Sequence, residues 1–376
     1  MSLSNSGGTE RVLHNKICEF VSRGGGYDIT IITTDQGRAP CFFDFPKSVK
    51  IIDIGINYSA VNTRNPIRRA VVTYRKKRLH FIRLSELLCT IKPDVTITIY
   101  PSMAIPLSKI KDGSKKIVEF HANRFFRFHQ GYRRSHRIVV KYRTWQDYRF
   151  IKKFDALVVL TKEGAEQWRQ LPNIRVIPNA AISRQSVLGI SPVTKEKRVI
   201  AVGRLVYEKG YDRLIHAWSI LPKEILEEWR LVIIGDGEQK NNLQEIIKTL
   251  NVCSSVCIKA PTKQIFDEYA KSAFFVMTSR TEGMPMTLIE SMSCGLPAVC
   301  FDFACGPKEI IEDGVNGFLV ENGNIREFSE KMEELIRNED IRRVFSEKAK
   351  LVKDKFSEEK VTEMWMEFFS ELAKKS

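Results

Sequence analysis

SRTEGMPMTLIESMSCGLP, residues 279–297, is the stretch from which the fold can be read. It continues the apolar run AFFVMTS (273–279), which reads as a buried strand, and then breaks at Glu282, Gly283 and Met284. A helix follows, for which Pro285 suits the first position. Strand, turn and helix in this order are the repeating unit of a parallel sheet covered by helices. The turn falls at the strand's carboxyl end, where open α/β sheets bind ligands. There the amides of Gly283, Met284 and Met286 are expected to face outward and seat a phosphate. Glu282 stands at the mouth of that anion site, a favourable place for a carboxylate only if hydroxyls donate to it, as a sugar's do. Glu290, about two helical turns along, is placed to reach a second polyol such as a ribose.

The same edge receives VGRLVYEKGYDRLI, residues 202–215. Arg204 ends a strand and Lys209 stands five residues on, at the approach to the next helix. Two cations there can neutralise a diphosphate leaving group without a metal. No Asp-any-Asp tripeptide occurs in the chain, in keeping with a site that uses neither metal nor cofactor. GDG at 235–237 follows another strand, so Gly235 and Asp236 join Glu290, Thr287 and Ala260 as candidates for the nucleotide's ribose and base. Two N-terminal motifs complete the set. His121 emerges from a strand in VEFHAN (118–123), and Gly7, Gly8 and Thr9 lie in a glycine-rich loop that allows close backbone approach to a ligand.

Outward from these motifs, β-branched runs alternate with amphipathic segments along the chain. Strands are expected at 27–35, 49–55, 95–101, 115–122, 155–161 and 174–180, and again at 198–204, 229–237, 255–260, 273–279, 296–302 and 317–322. Helix-like stretches at 10–22, 65–91, 135–152 and 162–170 lie between the first group. At 376 residues the chain is long for a single core. The expected division is an N-terminal domain 1–182, a polar linker 183–197, a C-terminal domain 198–355 and a last helix 356–376 that folds back on the N-terminal domain. SNSGGTE arrives with almost nothing before it, so the strand that normally feeds the first glycine-rich turn is expected to be missing.

The formal charge of +15 is one-sided: residues 1–190 carry 33 Lys+Arg against 14 Asp+Glu. Such a half implies an anionic partner. Residues 124–153 hold ten of those cations among Phe, Tyr and Trp, with Asp147 the single acid. That composition suits a membrane interface, a nucleic acid or a solvated helix face. No apolar run reaches the ~18 residues of a membrane span, and the eight cysteines show no two-residue spacing, so a cytoplasmic chain with reduced thiols is expected. A dinucleotide oxidoreductase would need a Gly-any-Gly-any-any-Gly after a strand, which is absent.

Taken together, Glu282 and Glu290 with seven residues between them, GRLVYEKG, GDGE (235–238), CGPKEIIEDGVNGFLV (305–320), SGGTERV and HAN resemble glycosyltransferase family 4. The resemblance implies the GT-B fold, two facing Rossmann-like doubly wound domains with a cleft between them, and a retaining hexosyltransferase. It implies that Glu282 touches hydroxyls of the transferred sugar, Glu290 binds the ribose, Arg204 and Lys209 hold the diphosphate, and His121 approaches the sugar's 6-position. The expected donor is a UDP-sugar ahead of a GDP-sugar. The expected acceptor is a glycan or polyprenyl-diphosphate-linked chain of a cell-surface polysaccharide, met at the anionic inner face of the membrane; nucleic acid is not expected as a partner. A GT-B sugar-nucleotide epimerase remains the alternative, and a double displacement through a protein nucleophile stays open.

Overall fold

The computed structural model describes residues 2–4, 8–24, 26–58, 65–100, 104–126, 137–180 and 195–374. The N-terminal half runs α1 (Gly8–Ser22), β1 (Thr30–Thr33), β2 (Lys50–Asp53), α2 (Pro66–Ile91), β3 (Val95–Ile99), α3 (Ala104–Leu107), β4 (Lys115–Phe120), α4 (Arg137–Ile151), β5 (Ala156–Val159), α5 (Lys162–Gln167) and β6 (Ile174–Val176). The C-terminal half runs β7 (Arg198–Val202), α6 (Tyr211–Ser219), α7 (Lys223–Glu228), β8 (Arg230–Ile234), α8 (Lys240–Thr249), β9 (Val256–Lys259), α9 (Ile265–Lys271) and β10 (Phe274–Met277). It closes with α10 (Met286–Ser293), β11 (Ala298–Asp302), α11 (Pro307–Ile310), β12 (Gly317–Glu321), α12 (Ile325–Arg337), α13 (Glu339–Ala349), α14 (Val352–Lys355) and α15 (Glu358–Lys374).

Every strand pairing is parallel among the described residues. The C-terminal sheet has the order β12-β11-β10-β7-β8-β9. In it β7 and β10 are paired neighbours although far apart in sequence, so the loops that follow them carry Arg204, Lys209 and Glu282 to one end of the sheet. Strands covered on both faces by helices require continuous apolar runs, and Phe274, Phe275, Val276 and Met277 are all buried. The N-terminal strands form two sheets, β1-β2 and β3-β4-β5-β6. Among the described residues no strand precedes α1. Residues 2–4 lie along the loop after β1, where Leu3 is buried and its carbonyl accepts from the Phe42 amide at 2.8 Å.

Local rules place the elements that matter. Asn65 caps α2, accepting from the amides of Ile67 and Arg68, with Pro66 as the first helical residue. Thr161 caps α5 by accepting from the Gly164 amide at 2.9 Å. In α15, Val361, Trp365, Phe368 and Leu372 recur at helical spacing and pack with Phe20, Ile117 and Val158 of the N-terminal half. The chain therefore ends on the half in which it began.

Candidate functional site

The loops after β7 and β10 are built against each other. Gly210 adopts φ +66°, and a Cβ there would lie 2.2 Å from the Thr278 carbonyl oxygen, so only glycine fits. The Thr278 hydroxyl donates to the Gly210 carbonyl at 2.9 Å, and the Arg280 amide donates to the Glu208 carbonyl at 2.7 Å. Arg280 completes the clamp with two hydrogen bonds to Asp212, at 2.9 and 2.6 Å, and lies 4.0 Å from the Tyr207 ring centroid. A bidentate guanidinium–carboxylate pair fixes the relative position of the two loops. This clamp presents Lys209 to Glu282 at 2.5 Å, and the Ser279 hydroxyl donates to the same carboxylate oxygen at 2.8 Å. The Lys209 stem runs over Gly203, beside Arg204, whose own side chain is exposed and has no ion-pair partner among the described residues.

The phosphate turn differs from its sequence reading in two particulars. Pro285 precedes the helix, which starts at Met286, and is not its first residue. The Met286 amide is not free, because it donates to the Met284 carbonyl at 3.0 Å. A turn closed by this local bond is already satisfied, so any anion seat reduces to Gly283 and Met284. Both residues face the N-terminal half. A Cβ on Gly283 would lie 2.1 Å from the His121 carbonyl oxygen, and the buried Met284 thioether accepts from the Asn179 amide at 3.3 Å. The Thr287 hydroxyl oxygen is buried with no hydrogen-bond partner among the described residues.

Glu290 is 2% exposed on α10, and its carboxylate takes the guanidinium of Arg11 from α1. Burial raises its pKa, while Arg11 and, at longer range, Lys209 oppose the rise. The ion pair brings the first turn of the N-terminal half onto the carboxylate expected to bind ribose. Gly8 and Thr9 belong to that first turn and are helical; Gly7 lies outside the described residues, as do linker positions 183–194. Gly235 is explained by packing, since a Cβ would meet the Gly203 carbonyl oxygen at 1.9 Å. Asp236 and Ala260 are exposed just beyond β8 and β9.

On the opposite wall, His121 Nε2 lies 2.8 Å from a carboxylate oxygen of Glu119, which is also held by Lys16 Nζ at 2.7 and 2.9 Å. Burial alone would raise the Glu119 pKa, but Lys16 and the His121 hydrogen bond outweigh it and hold it down at about 2. A carboxylate depressed from its ordinary 4.5 contributes stability that is complete above pH 4.5 and lost as the pH falls toward 2. At ~1.4 kcal/mol per pKa unit the contribution is on the order of 3 kcal/mol. Denaturant unfolding from pH 6 to pH 3 is expected to show a shallower acid loss in Glu119→Gln than in wild type. Identical pH slopes would remove Glu119 from the account.

Arg11, Lys16, Glu119 and the Asp212–Arg280 pair were not among the residues singled out from the sequence. Two of them carried a signal. Arg11 lies within SGGTERV, and Glu119 lies two residues before His121, the spacing that puts neighbouring strand side chains on one face.

Residues 6–181 match the family model described as Glycosyltransferase Family 4, and residues 189–352 that described as Glycosyl transferases group 1. An uncharacterized glycosyltransferase of Haemophilus influenzae is 29% identical over 370 residues, 97% of each chain. The amylovoran biosynthesis glycosyltransferase AmsD of Erwinia amylovora is 41% identical over 155 residues, 41% of this chain and 43% of that one. A TarM mutant of S. aureus, crystallised with fondaparinux, alpha-GlcNAc-glycerol and UDP, superposes with a TM-score of 0.66 at 23% identity. That match covers 78% of this chain and 59% of TarM.

Proposed function

Because the chain belongs to the family 4 glycosyltransferases, GT-B enzymes that draw on a nucleotide-sugar, we propose that it moves a hexose from a UDP-sugar to a glycan or polyprenyl-diphosphate-linked acceptor with retention of anomeric configuration. The product would enter a cell-surface polysaccharide; the Erwinia relative is named for amylovoran biosynthesis. The observation that carries this reading is the convergence of Lys209, Glu282 and Glu290 at one end of the C-terminal sheet, with His121 backing onto Gly283 from the other half.

In this reading Lys209 and Arg204 neutralise the departing diphosphate, so no metal is assigned to the site. Glu282 exchanges Lys209 for hydroxyls of the sugar, and Glu290 takes the ribose. The glycosidic C–O bond to the diphosphate breaks as an acceptor hydroxyl attacks from the same face, and its proton passes to the leaving phosphate oxygen. Thermal unfolding with UDP- and GDP-sugars tests the assignment. A ligand at 100 times its Kd adds about 2.7 kcal/mol to stability, so a UDP-sugar is expected to raise Tm by several degrees. Stabilisation by GDP-sugars alone would overturn the base assignment, and conversion of the donor to an epimer without acceptor would overturn the transferase.

The membrane side of the proposal rests on α2 and α4, both of which lie against α3. Ile67, Val71 and Tyr74 on α2 and Ile138, Tyr142 and Trp145 on α4 are exposed at helical spacing. Arg68, Arg75, Lys77, Lys141, Arg143 and Arg149 are exposed on the same two helices. Aromatic rings settle at headgroup depth, and each cation near an anionic surface contributes about 1 kcal/mol. No helix of the described residues is long and apolar enough to cross a membrane. The protein is expected to sediment with anionic but not zwitterionic liposomes at low salt and to release near 1 M salt, where the Debye length falls to ~3 Å. Lys141→Glu, Arg143→Glu and Trp145→Ser together are expected to abolish sedimentation while sparing UDP binding. Wild-type indifference to anionic liposomes would sink the membrane reading.

A further inference from the structure

The chain Lys16–Glu119–His121 is complete and enclosed, with side-chain exposures of 14%, 4% and 13%. Its outer end is anchored, because Lys16 Nζ lies 4.2 Å from the centroid of the Trp365 ring on α15. An ionised carboxylate can only accept, so the proton between Glu119 and His121 belongs to Nε2 of the imidazole. In the neutral imidazole, with Nε2 carrying the proton, the other ring nitrogen Nδ1 carries the lone pair. The backbone carbonyl of His121 abuts Gly283, which sets this residue where the two halves meet beside the phosphate turn.

We propose that Lys16 and Glu119 are positioning residues that lock His121 in the Nε2–H tautomer, so that Nδ1 accepts a hydrogen bond from a hydroxyl of the transferred sugar. The inference rests on the sugar-facing role given to His121 above, and it narrows the substrate class. A neutral hexose carrying a hydroxyl at its 6-position satisfies Nδ1. A uronic acid sets a carboxylate, itself only an acceptor, against a lone pair. A 6-deoxy sugar leaves Nδ1 unpaired. The helix that carries Lys16 also carries Arg11, so one element ties both walls of the site.

Nitrogen-15 spectra of histidine-labelled protein test the lock, the His121 signals being assigned with His121→Asn. A protonated Nε2 and a bare Nδ1 are expected at neutral pH. Glu119→Gln lets the side-chain amide donate to Nε2 and reverses the tautomer. It is expected to slow hydrolysis of the best-used donor among UDP-glucose, UDP-galactose and UDP-N-acetylglucosamine by about tenfold, with UDP affinity unchanged within twofold. UDP-glucuronate is expected to be hydrolysed at least about tenfold more slowly than that donor by the wild type. Lys16→Met/Glu119→Gln removes both charges together, so a fold that cannot bear a lone buried ammonium still gives a result, and the same loss is expected. A bare Nε2 in the wild type, wild-type hydrolysis by both Glu119 variants, or equal use of UDP-glucuronate would overturn the lock. Undiminished hydrolysis by His121→Asn would instead overturn the sugar-facing role on which it rests.

Discussion

Lys209→Ala is expected to weaken UDP binding by about 1.5–3 kcal/mol, roughly 10- to 150-fold, the range of one charge-assisted hydrogen bond to a phosphate. The structure supplies the reason for so large an effect from one side chain. Arg280, Asp212 and the close approach at Gly210 hold the turn carrying Lys209 against the loop carrying Glu282. The ammonium is thereby presented in place, with little ordering left to be done at binding. Lys209 already shares Glu282 with the Ser279 hydroxyl, so the variant also leaves a half-buried carboxylate with one weaker donor. Unfolding measured without ligand separates that cost from the binding loss. Calorimetry showing unchanged UDP affinity would take Lys209 out of the diphosphate clamp.

Arg11→Ala is expected to destabilise the protein by about 2 kcal/mol. Stripping one partner from a buried ion pair costs about 3–5 kcal/mol, and the value here is lower because the Arg11 side chain is 37% exposed while Glu290 is 2% exposed. The loss arises from leaving a carboxylate in an apolar helix between Ile289 and Ser291, both wholly buried. Adding Glu290→Gln to Arg11→Ala removes the uncompensated charge and is expected to restore most of the stability. Denaturant unfolding of the two single variants and the double variant gives the coupling between them. Strict additivity would mean that the two groups do not interact in solution. Because Arg11 and Glu290 belong to opposite halves, a confirmed coupling also shows that α1 and α10 meet in solution.

All twelve strands among the described residues lie inside the stretches that the β-branched runs predict. A continuous apolar run buried on both faces has few other uses in a chain of this length. The ends were less legible. The run at 174–180 yields a strand only at Ile174–Val176, and that at 27–35 only at Thr30–Thr33, because an apolar residue at each border, Ile177 and Ile29, continues the pattern past the paired segment. The four-residue helix Ala104–Leu107 was not anticipated, being too short to show a period.

At the site, residue types and spacing within each of two loops were enough to assign Glu282 and Lys209 to one site, and the structure places them in contact. Alternation and turn chemistry are local, so a strand, its glycine-rich turn and the helix beyond it can be read from neighbouring letters. Which carboxylate holds which cation is not local. Arg11 and Glu290 are separated by 279 positions, and Lys16 and Glu119 by 103, so nothing in the spacing pairs them. Only the docking of α1 against both halves decided those pairs, since an ammonium or guanidinium on a helix surface is solvated until a buried carboxylate is brought to it. The same holds for the Met286 amide, whose freedom was a property of an idealised helix start and was lost to a single turn bond that forms once Pro285 is seated.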